Sequence, residues 1–126
     1  MCGIVGLYFK KKKLYKNLGY YLSGMLDNMS SRGPDSAGFA IYNDDAKKFY
    51  KYSLCMNAEL IIDDFKIDIN KKFKDVIFKS ISDHLVIQTI SSPKVVIPYI
   101  KKKYDNILIV GYGKCIEIFK QVGNPK

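Results

Sequence analysis

The sequence predicts an α+β fold in which helices pack against a largely antiparallel sheet. Three kinds of segment indicate this: short β-branched runs, stretches with apolar residues at helical spacing, and Gly- or Pro-containing turns between them. Their order is strand, helix, hairpin, strand, helix and strand pair. A length of 126 residues fits one domain of ordinary size, so we expect residues 1–126 to belong to a single domain.

The first half of the chain contains the clearest elements. Residues 2–9, CGIVGLYF, predict a buried strand, and the apolar spacing over residues 14–30 predicts an amphipathic helix. A Gly-Pro pair should end this helix. Residues 37–54 have the pattern of a β-hairpin whose turn lies at the two aspartates of residues 44–45.

The second half gives fewer signals. Residues 57–81 mix short periodic pieces and support only a weak assignment, whereas residues 83–90, DHLVIQTI, predict a strand. A helix should begin near Pro93, although Pro98 would distort it beyond the first turn. The segments NILIVGYG and CIEIFKQVG predict two further strands that join at the glycines of residues 111–113.

Charge and hydropathy exclude several classes of protein. The net charge is +9, but Arg32 is the single arginine among 21 basic residues. Because base and phosphate recognition favours the planar guanidinium, the lysine excess indicates compositional bias, and we expect no nucleic-acid partner. The chain has no apolar run of about 18 residues and no signal-peptide pattern at its start. We therefore expect a cytoplasmic protein without membrane contact.

The cysteine and histidine content predicts neither a disulfide framework nor a metal centre. Cys2, Cys55 and Cys115 are far apart and show no C-x-x-C spacing, and His84 is the single histidine. A His-based metal cage needs several imidazoles, and a zinc ribbon needs paired cysteines. The sequence therefore predicts no metal and no cofactor.

Cys2 is the candidate catalytic residue. Removal of Met1 would give it a free α-amine, whose pKa of about 7.7–8 makes it a usable base near neutral pH. The thiol titrates at about 8.5 and reacts as the thiolate, so one residue would carry both nucleophile and base. Gly3 would place no side chain beside this thiol. The alternative is a buried, inert cysteine, which is a common structural role.

Two segments together resemble the start of class II glutamine amidotransferases, which are N-terminal-nucleophile hydrolases. The first is MCGIVGLY, and the second is LDNMSSRGPDSAGFAIY, in which the matching residues run from Arg32 to Gly38. The form of the second motif found here, with the sequence PDSAG at residues 34–38, is most similar to that of the amidotransferase subunit of archaeal-type glutamate synthase. The resemblance implies an αββα sandwich, of which residues 1–126 would form the N-terminal portion, about the first half.

The resemblance also implies an activity. The Cys2 thiolate would attack the side-chain amide of glutamine, release ammonia and form a glutamyl thioester that water then hydrolyses to glutamate. Ammonia would pass to an acceptor on a synthase partner. No metal or cofactor takes part in the implied reaction.

Five residues of the two motifs would support the site without taking part in the chemistry: Gly3, Arg32, Gly33, Asp35 and Ser36. Arg32 offers five donors in a fixed fork and is suited to hold the turn beside the Cys2 strand. A solvated turn residue is the alternative for this arginine. Asp35 is expected to cap the turn through its carboxylate.

Three further parts of the family's site have no match here. They are an arginine that binds the glutamine α-carboxylate, an Asn-Gly pair that forms the oxyanion hole, and an acidic residue that binds the amine. Loss of one oxyanion donor alone costs about 100- to 1,000-fold in rate. One hypothesis is a glutaminase domain present as a fragment or split subunit, with a synthase subunit or a complementing C-terminal half as partner. The other is an inactive truncated subunit that acts in binding or assembly.

Overall fold

The computed structural model describes residues 3–56 and 62–123. Three α-helices occur in this part, α1 at Leu18–Asn28, α2 at Ile62–Lys72 and α3 at Pro93–Lys103. The same described part contains six strands: β1 Ser36–Tyr42, β2 Tyr50–Met56, β3 Ile77–Ile81, β4 His84–Thr89, β5 Ile107–Gly113 and β6 Ile116–Val122. Short 3₁₀ segments at Lys12–Asn17 and Ser30–Arg32 flank α1. None of the described helices is long and apolar enough to cross a membrane.

The chain divides into two compact units. The first, here called the N-terminal unit, comprises Met1–Gly38 and Lys120–Lys126. The second, here called the sheet unit, comprises Phe39–Phe119 and contains a four-stranded sheet of order β3-β4-β2-β5 together with α2 and α3. Strands β1 and β6 form a separate two-stranded sheet, and both unit boundaries fall within these two strands.

The core of the sheet unit lies between its four-stranded antiparallel sheet and the two helices. Because successive side chains of a strand point to opposite faces, alternate residues of β2 and β4 share the helix side. Burial of each large apolar side chain contributes about 1.5–3 kcal/mol. The buried core residues are Tyr52, Leu54, Met56, Phe65, Ile69, Phe73, Leu85, Ile87, Val96, Ile100 and Ile107.

Helix α3 begins where the sequence predicts. The carbonyl of Ser92 accepts hydrogen bonds from the N–H groups of the residues three and four positions ahead, at 3.0 and 3.1 Å. Pro93 occupies the first turn, where its missing N–H costs nothing. The helix nevertheless continues past Pro98, which lies on its exposed face. Val96 and Ile100 are fully buried on either side of it, so core packing offsets the proline penalty of about 3 kcal/mol.

The opposite face of the four-stranded sheet is covered by the first half of β6. The backbone N–H of Ile118 donates a hydrogen bond to the hydroxyl of Ser53 at 2.9 Å. The ring of Phe119 packs against His84 with centroids 5.6 Å apart. Since β6 belongs to the other sheet, it forms a second layer here and does not extend the first.

The buried strand predicted for residues 2–9 is wrong for its described part. Residues 3–9 form neither helix nor strand, Ile4 is 93% exposed, and Val5 is only partly buried. A strand needs a partner for its N–H and C=O groups. Within residues 3–56 and 62–123, no strand pairs with this segment.

The hairpin predicted for residues 37–54 is also wrong, although both of its strands exist. Strand β1 pairs with β6, whereas β2 pairs with β4 and β5. The connection between β1 and β2 is held by bonds to the β5–β6 turn: Asn43 N–H donates to the Cys115 carbonyl at 2.7 Å, and Ala46 N–H donates to the Lys114 carbonyl at 3.1 Å. Alternation along a strand indicates its two faces but not its neighbours.

Two glycines allow β6 to cross β5 at close range. Ser53 pairs with Gly111 and Leu54 with Ile109, which places a β-bulge in β5 just before Gly111. A Cβ on Gly111 would overlap the Cδ1 of Ile118. A Cβ on Gly113 would lie 2.8 Å from the Cγ2 of Ile116. The approach of the two strands therefore requires the absence of side chains at these positions.

Replacement of Gly111 by alanine tests this crossing. We expect Gly111→Ala to lower the free energy of unfolding by about 1–3 kcal/mol, because its methyl group would displace Ile118. Chemical denaturation measures the loss of unfolding free energy. This loss should be smaller in an Ile118→Ala background, because the side chain that the new methyl group displaces is then absent. Gly19→Ala is the control: a methyl there meets nothing within 4 Å in α1 and should add up to about 1 kcal/mol. An equal Gly111→Ala loss in both backgrounds would contradict the close approach.

Candidate functional site

The first described residue and the turn after α1 lie side by side in the N-terminal unit. A Cβ built on Gly3 would meet the Cε of Met29 and would lie 3.4 Å from the Cβ and 3.6 Å from the Cδ of Arg32. A Cβ on Gly6 would meet nothing within 4 Å. The absence of a side chain at Gly3 thus permits the backbone at this residue to lie close to the turn, and Gly6 has no such role.

The turn is formed by the way α1 ends. The chain tightens into the 3₁₀ segment Ser30–Arg32, in which the Arg32 N–H donates to the Met29 carbonyl at 3.0 Å. Gly33 then leaves the helical conformation with φ −150° and ψ 72°, and strand β1 starts at Ser36. The side chain of Arg32 is exposed, so its guanidinium is available to groups outside the turn.

Asp35 is held through its backbone. Its carbonyl accepts a hydrogen bond from the N–H of Gly123 at 2.9 Å. Within the two described ranges, the exposed Asp35 carboxylate makes no hydrogen bond, so the predicted side-chain cap of the turn is not formed there. Water satisfies an exposed carboxylate at little cost, which removes the need for a cap. Ser36 is likewise exposed, at the first position of β1.

Cys2, the predicted nucleophile, lies outside the described residues. Its chain neighbour Gly3 lies against Arg32. The structure therefore brings Gly3 of the first motif together with Arg32 of the second, although α1 and the segment before it separate them in the sequence.

A second cluster lies at one end of the β2–β4 ladder. Cys55 and His84 are directly paired across the two strands, so their side chains leave the same face of the sheet. Asp83 precedes His84 in the tight turn between β3 and β4. Its Oδ1 lies 2.8 Å from the His84 Nδ1, and its Oδ2 lies 4.0 Å from the Cys55 Sγ.

This cluster was missed because its residues are separated along the chain. Only the adjacent pair Asp83–His84 is visible in the sequence, and such a pair carries no ligand spacing by itself. Cys55 joins the pair through the strand register, which the sequence does not specify.

The electrostatics of the cluster keep Cys55 in its thiol form. Burial raises the pKa of the Cys55 thiol, and the neighbouring Asp83 carboxylate raises it further. Since the thiolate is the reactive form, Cys55 is a weak nucleophile at neutral pH. The cluster therefore lacks the activated sulfur that nucleophilic catalysis requires.

A buried ion network is centred on Glu117 of β6. Its carboxylate accepts hydrogen bonds from Lys51 Nζ at 3.1 Å, from Lys79 Nζ at 3.0 Å and from Asn43 Nδ2 at 3.3 Å. The side chains of Glu117 and Lys51 are 7% and 9% exposed. Burial alone would raise the pKa of Glu117, but the hydrogen bonds from Lys79 and Lys51 outweigh it and lower the pKa. The ionised carboxylate thus links β6 to β2 and β3.

Comparisons with known proteins found two similar proteins, and the names of both refer to glutamine amidotransferases. It is 34% identical over 131 residues to the glutamine amidotransferase-like protein GlxB of Rhizobium meliloti. It is 29% identical over 137 residues to a protein of Methanothermobacter thermautotrophicus whose name also assigns it to the glutamine amidotransferases. The chain is therefore similar to proteins whose names refer to glutamine amidotransferases.

The alignments cover 100% and 98% of the chain but only 42% and 44% of these relatives, so the chain spans less than half of their length. They include the sheet unit as well as the two N-terminal motifs, so the similarity extends beyond the motifs. No family model matches the chain, and no solved structure matches it significantly.

Substitution of Glu117 tests the buried network. Because the folded-state pKa of this carboxyl is lowered, its charge stabilises the fold above the ordinary value of 4.5, and this contribution is lost as the pH falls through the folded-state pKa. Glu117→Gln should lower the free energy of unfolding at pH 7 by about 3–5 kcal/mol, because Lys51 would remain buried without its partner. The variant should also lose part of the pH dependence of stability below pH 4.5.

Denaturant titrations between neutral and acidic pH measure both effects. Asp75→Asn is the matched control, since Asp75 forms an exposed ion pair with Lys48 at 3.9 Å. Such a surface pair contributes at most about 1 kcal/mol. Losses of equal size at Glu117 and Asp75 would contradict a buried, charge-paired Glu117.

Proposed function

We propose that the chain is the glutaminase part of a class II glutamine amidotransferase, with Cys2 as its nucleophile and glutamine as its substrate. The names of the two relatives support glutamine amide chemistry. The class is supported by the Cys-Gly-Ile start and by the Arg-Gly-Pro-Asp-Ser turn. The observation that carries the proposal is the contact between the two motifs, since Gly3 lies against Met29 and Arg32.

In this mechanism the mature chain begins at Cys2 after removal of Met1. The α-amine accepts the thiol proton, because its pKa of about 7.7–8 lies close to that of the thiol. The thiolate sulfur attacks the side-chain amide carbon of glutamine, the C–N bond breaks, and the amine returns the proton to the leaving ammonia. Water then attacks the thioester, the C–S bond breaks, and glutamate and the thiol are released.

The role of the described residues in this mechanism is to position the reacting groups. Gly3 lies against the turn, and the 3₁₀ segment fixes the backbone of Arg32 by its bond to Met29. We assign Arg32 as a positioning residue, whose exposed guanidinium offers five donors to the substrate site outside the turn. Gly33, Asp35 and Ser36 set the exit of the chain from this turn into β1.

The proposal assigns the remaining site groups to a complementing polypeptide. The α-carboxylate clamp, the oxyanion donors and the amine ligand have no match in this sequence, and the relatives are more than twice as long as the aligned region. A synthase subunit would accept the ammonia. The PDSAG turn favours a partner of the archaeal glutamate synthase type, and the fold of the complete assembly would be the αββα sandwich of N-terminal-nucleophile hydrolases.

The second candidate function is an inactive subunit that acts in assembly. It is favoured by the exposure of large apolar side chains in the N-terminal unit, where Ile4, Tyr8 and Tyr20 are 93%, 83% and 80% exposed. Large contiguous patches of exposed apolar surface are typical of protein–protein contacts, and these side chains would contribute to such a patch. Reactivity of Cys2 distinguishes the two candidates.

Labelling with 6-diazo-5-oxo-norleucine, an electrophilic glutamine analogue, tests the proposed nucleophile. The chain is mixed with a polypeptide corresponding to the part of the relatives outside the alignment, and intact mass spectrometry follows the adduct. We expect one adduct per chain, located on Cys2 and dependent on the complementing polypeptide. Cys115→Ser should label normally, whereas Cys2→Ser should not label.

A variant with residues added before Met1 keeps the thiol but blocks the free amine, and it should label poorly if the amine is the base. An adduct that survives Cys2→Ser would overturn the nucleophile assignment. No adduct with the complementing polypeptide present would favour the assembly function.

The contact between the motifs has its own test. Gly3→Ala should slow the labelling of Cys2 by up to about tenfold, because the added methyl group would meet the Met29 side chain and crowd Arg32, so that these side chains must shift. Gly6→Ala should label at the normal rate, since a methyl group there meets nothing within 4 Å. Adding Met29→Ala to Gly3→Ala should restore part of the rate. Equal rates for the two alanine variants would show that the turn does not position Cys2.

A further inference from the structure

We propose that Cys55, Asp83 and His84 form a zinc-type metal site in the sheet unit, one that shares no residue with the Cys2 motif. The sequence predicts no metal centre, because its cysteines lack ligand spacing and it has one histidine. The structure brings a thiol, a carboxylate and an imidazole together by strand pairing. The site is independent of the glutaminase proposal.

The three ligand atoms lie close enough together to share a single ion. One ligand atom from each of the three residues lies within 4.8 Å of the other two. Zinc binds sulfur at about 2.3 Å and nitrogen or oxygen at about 2.0–2.2 Å, so tetrahedral ligand atoms stand about 3.3–3.8 Å apart. The observed separations of 4.0 Å between Cys55 Sγ and Asp83 Oδ2, and of 2.8 Å between Asp83 Oδ1 and His84 Nδ1, lie on either side of this range. Small side-chain rotations about a fixed backbone would complete the geometry.

The backbone beneath the three residues is held in place. Cys55 and His84 face each other in the β2–β4 ladder, and the Met56 N–H donates to the Asp83 carbonyl at 2.8 Å. The Phe119 ring packs on the His84 ring from the covering layer. Ligands on paired strands keep their separation more precisely than ligands on loops.

Exposure and chemistry define what could bind. The His84 side chain is 7% exposed and the Asp83 side chain 41%, so the site is partly buried and opens to solvent through the turn. A thiolate and an imidazole select zinc and similar divalent ions over magnesium and calcium, which prefer oxygen ligands alone. The thiol proton would pass to solvent as the sulfur–metal bond forms. Three protein ligands leave the fourth position of a tetrahedral ion for water or a further group.

Cobalt(II) is the probe for this site, because a cobalt–thiolate bond gives charge-transfer absorption in the near ultraviolet. We expect titration of the reduced, complete chain with cobalt to give this absorption at one ion per chain. Zinc should displace the cobalt, and magnesium should not. No thiolate absorption from the wild-type chain would overturn the proposal.

Four variants assign the ligands. Cys55→Ser should abolish the charge-transfer band, and Asp83→Asn should weaken cobalt binding by at least about tenfold. Cys115→Ser and Cys2→Ser should keep the band and the affinity, and the second of these separates the metal site from the glutaminase proposal. Far-UV circular dichroism checks that each variant is folded. If Cys55→Ser unfolds, Asp83→Asn still tests the ligand assignment, because it changes a residue in an exposed turn. Loss of the band in Cys115→Ser or Cys2→Ser, or its survival in Cys55→Ser, would overturn the assignment.

Discussion

The register of β2 is the constraint on which the rest of the sheet unit depends. This strand lies between β4 and β5 and pairs with both in antiparallel fashion. Its even-numbered residues Tyr52 and Leu54 are fully buried on the helix side, while Lys51 and Ser53 face the layer formed by β6. Because side chains alternate with a period of two, a shift of one residue would exchange these faces and bury lysine among the helices.

The two faces of the four-stranded sheet are stabilised by different interactions, namely apolar burial on one face and paired polar groups on the other. The helix side is an apolar core whose burial favours folding without requiring directional contacts. The β6 side contains polar groups that are costly to bury unless each finds a partner, and the described part has no buried side-chain nitrogen or oxygen without one. The Glu117 carboxylate, with Lys51 and Lys79, shows this requirement most clearly. Strand pairing thus creates the apolar core and the polar layer together.

The two proposed sites use different kinds of positioning. The nucleophile proposal depends on a close backbone approach, in which Gly3 fits against Met29 and Arg32 because it has no side chain. The metal proposal depends on the ladder that sets Cys55 opposite His84. The raised pKa of Cys55 also separates the two chemically, since a protonated thiol does not compete with Cys2 for an electrophilic substrate.

The sequence by itself determined the local elements and the motifs. Apolar spacing located α1, the start of α3 at Pro93, and the strands at residues 36–42 and 84–89, because helix and strand periods and turn residues act over a few positions. Only the tertiary structure decided that β1 pairs with β6, that residues 3–9 form no strand, and that Cys55 meets His84. Partner choice depends on which distant surfaces are buried together, and no local pattern in the chain carries that information.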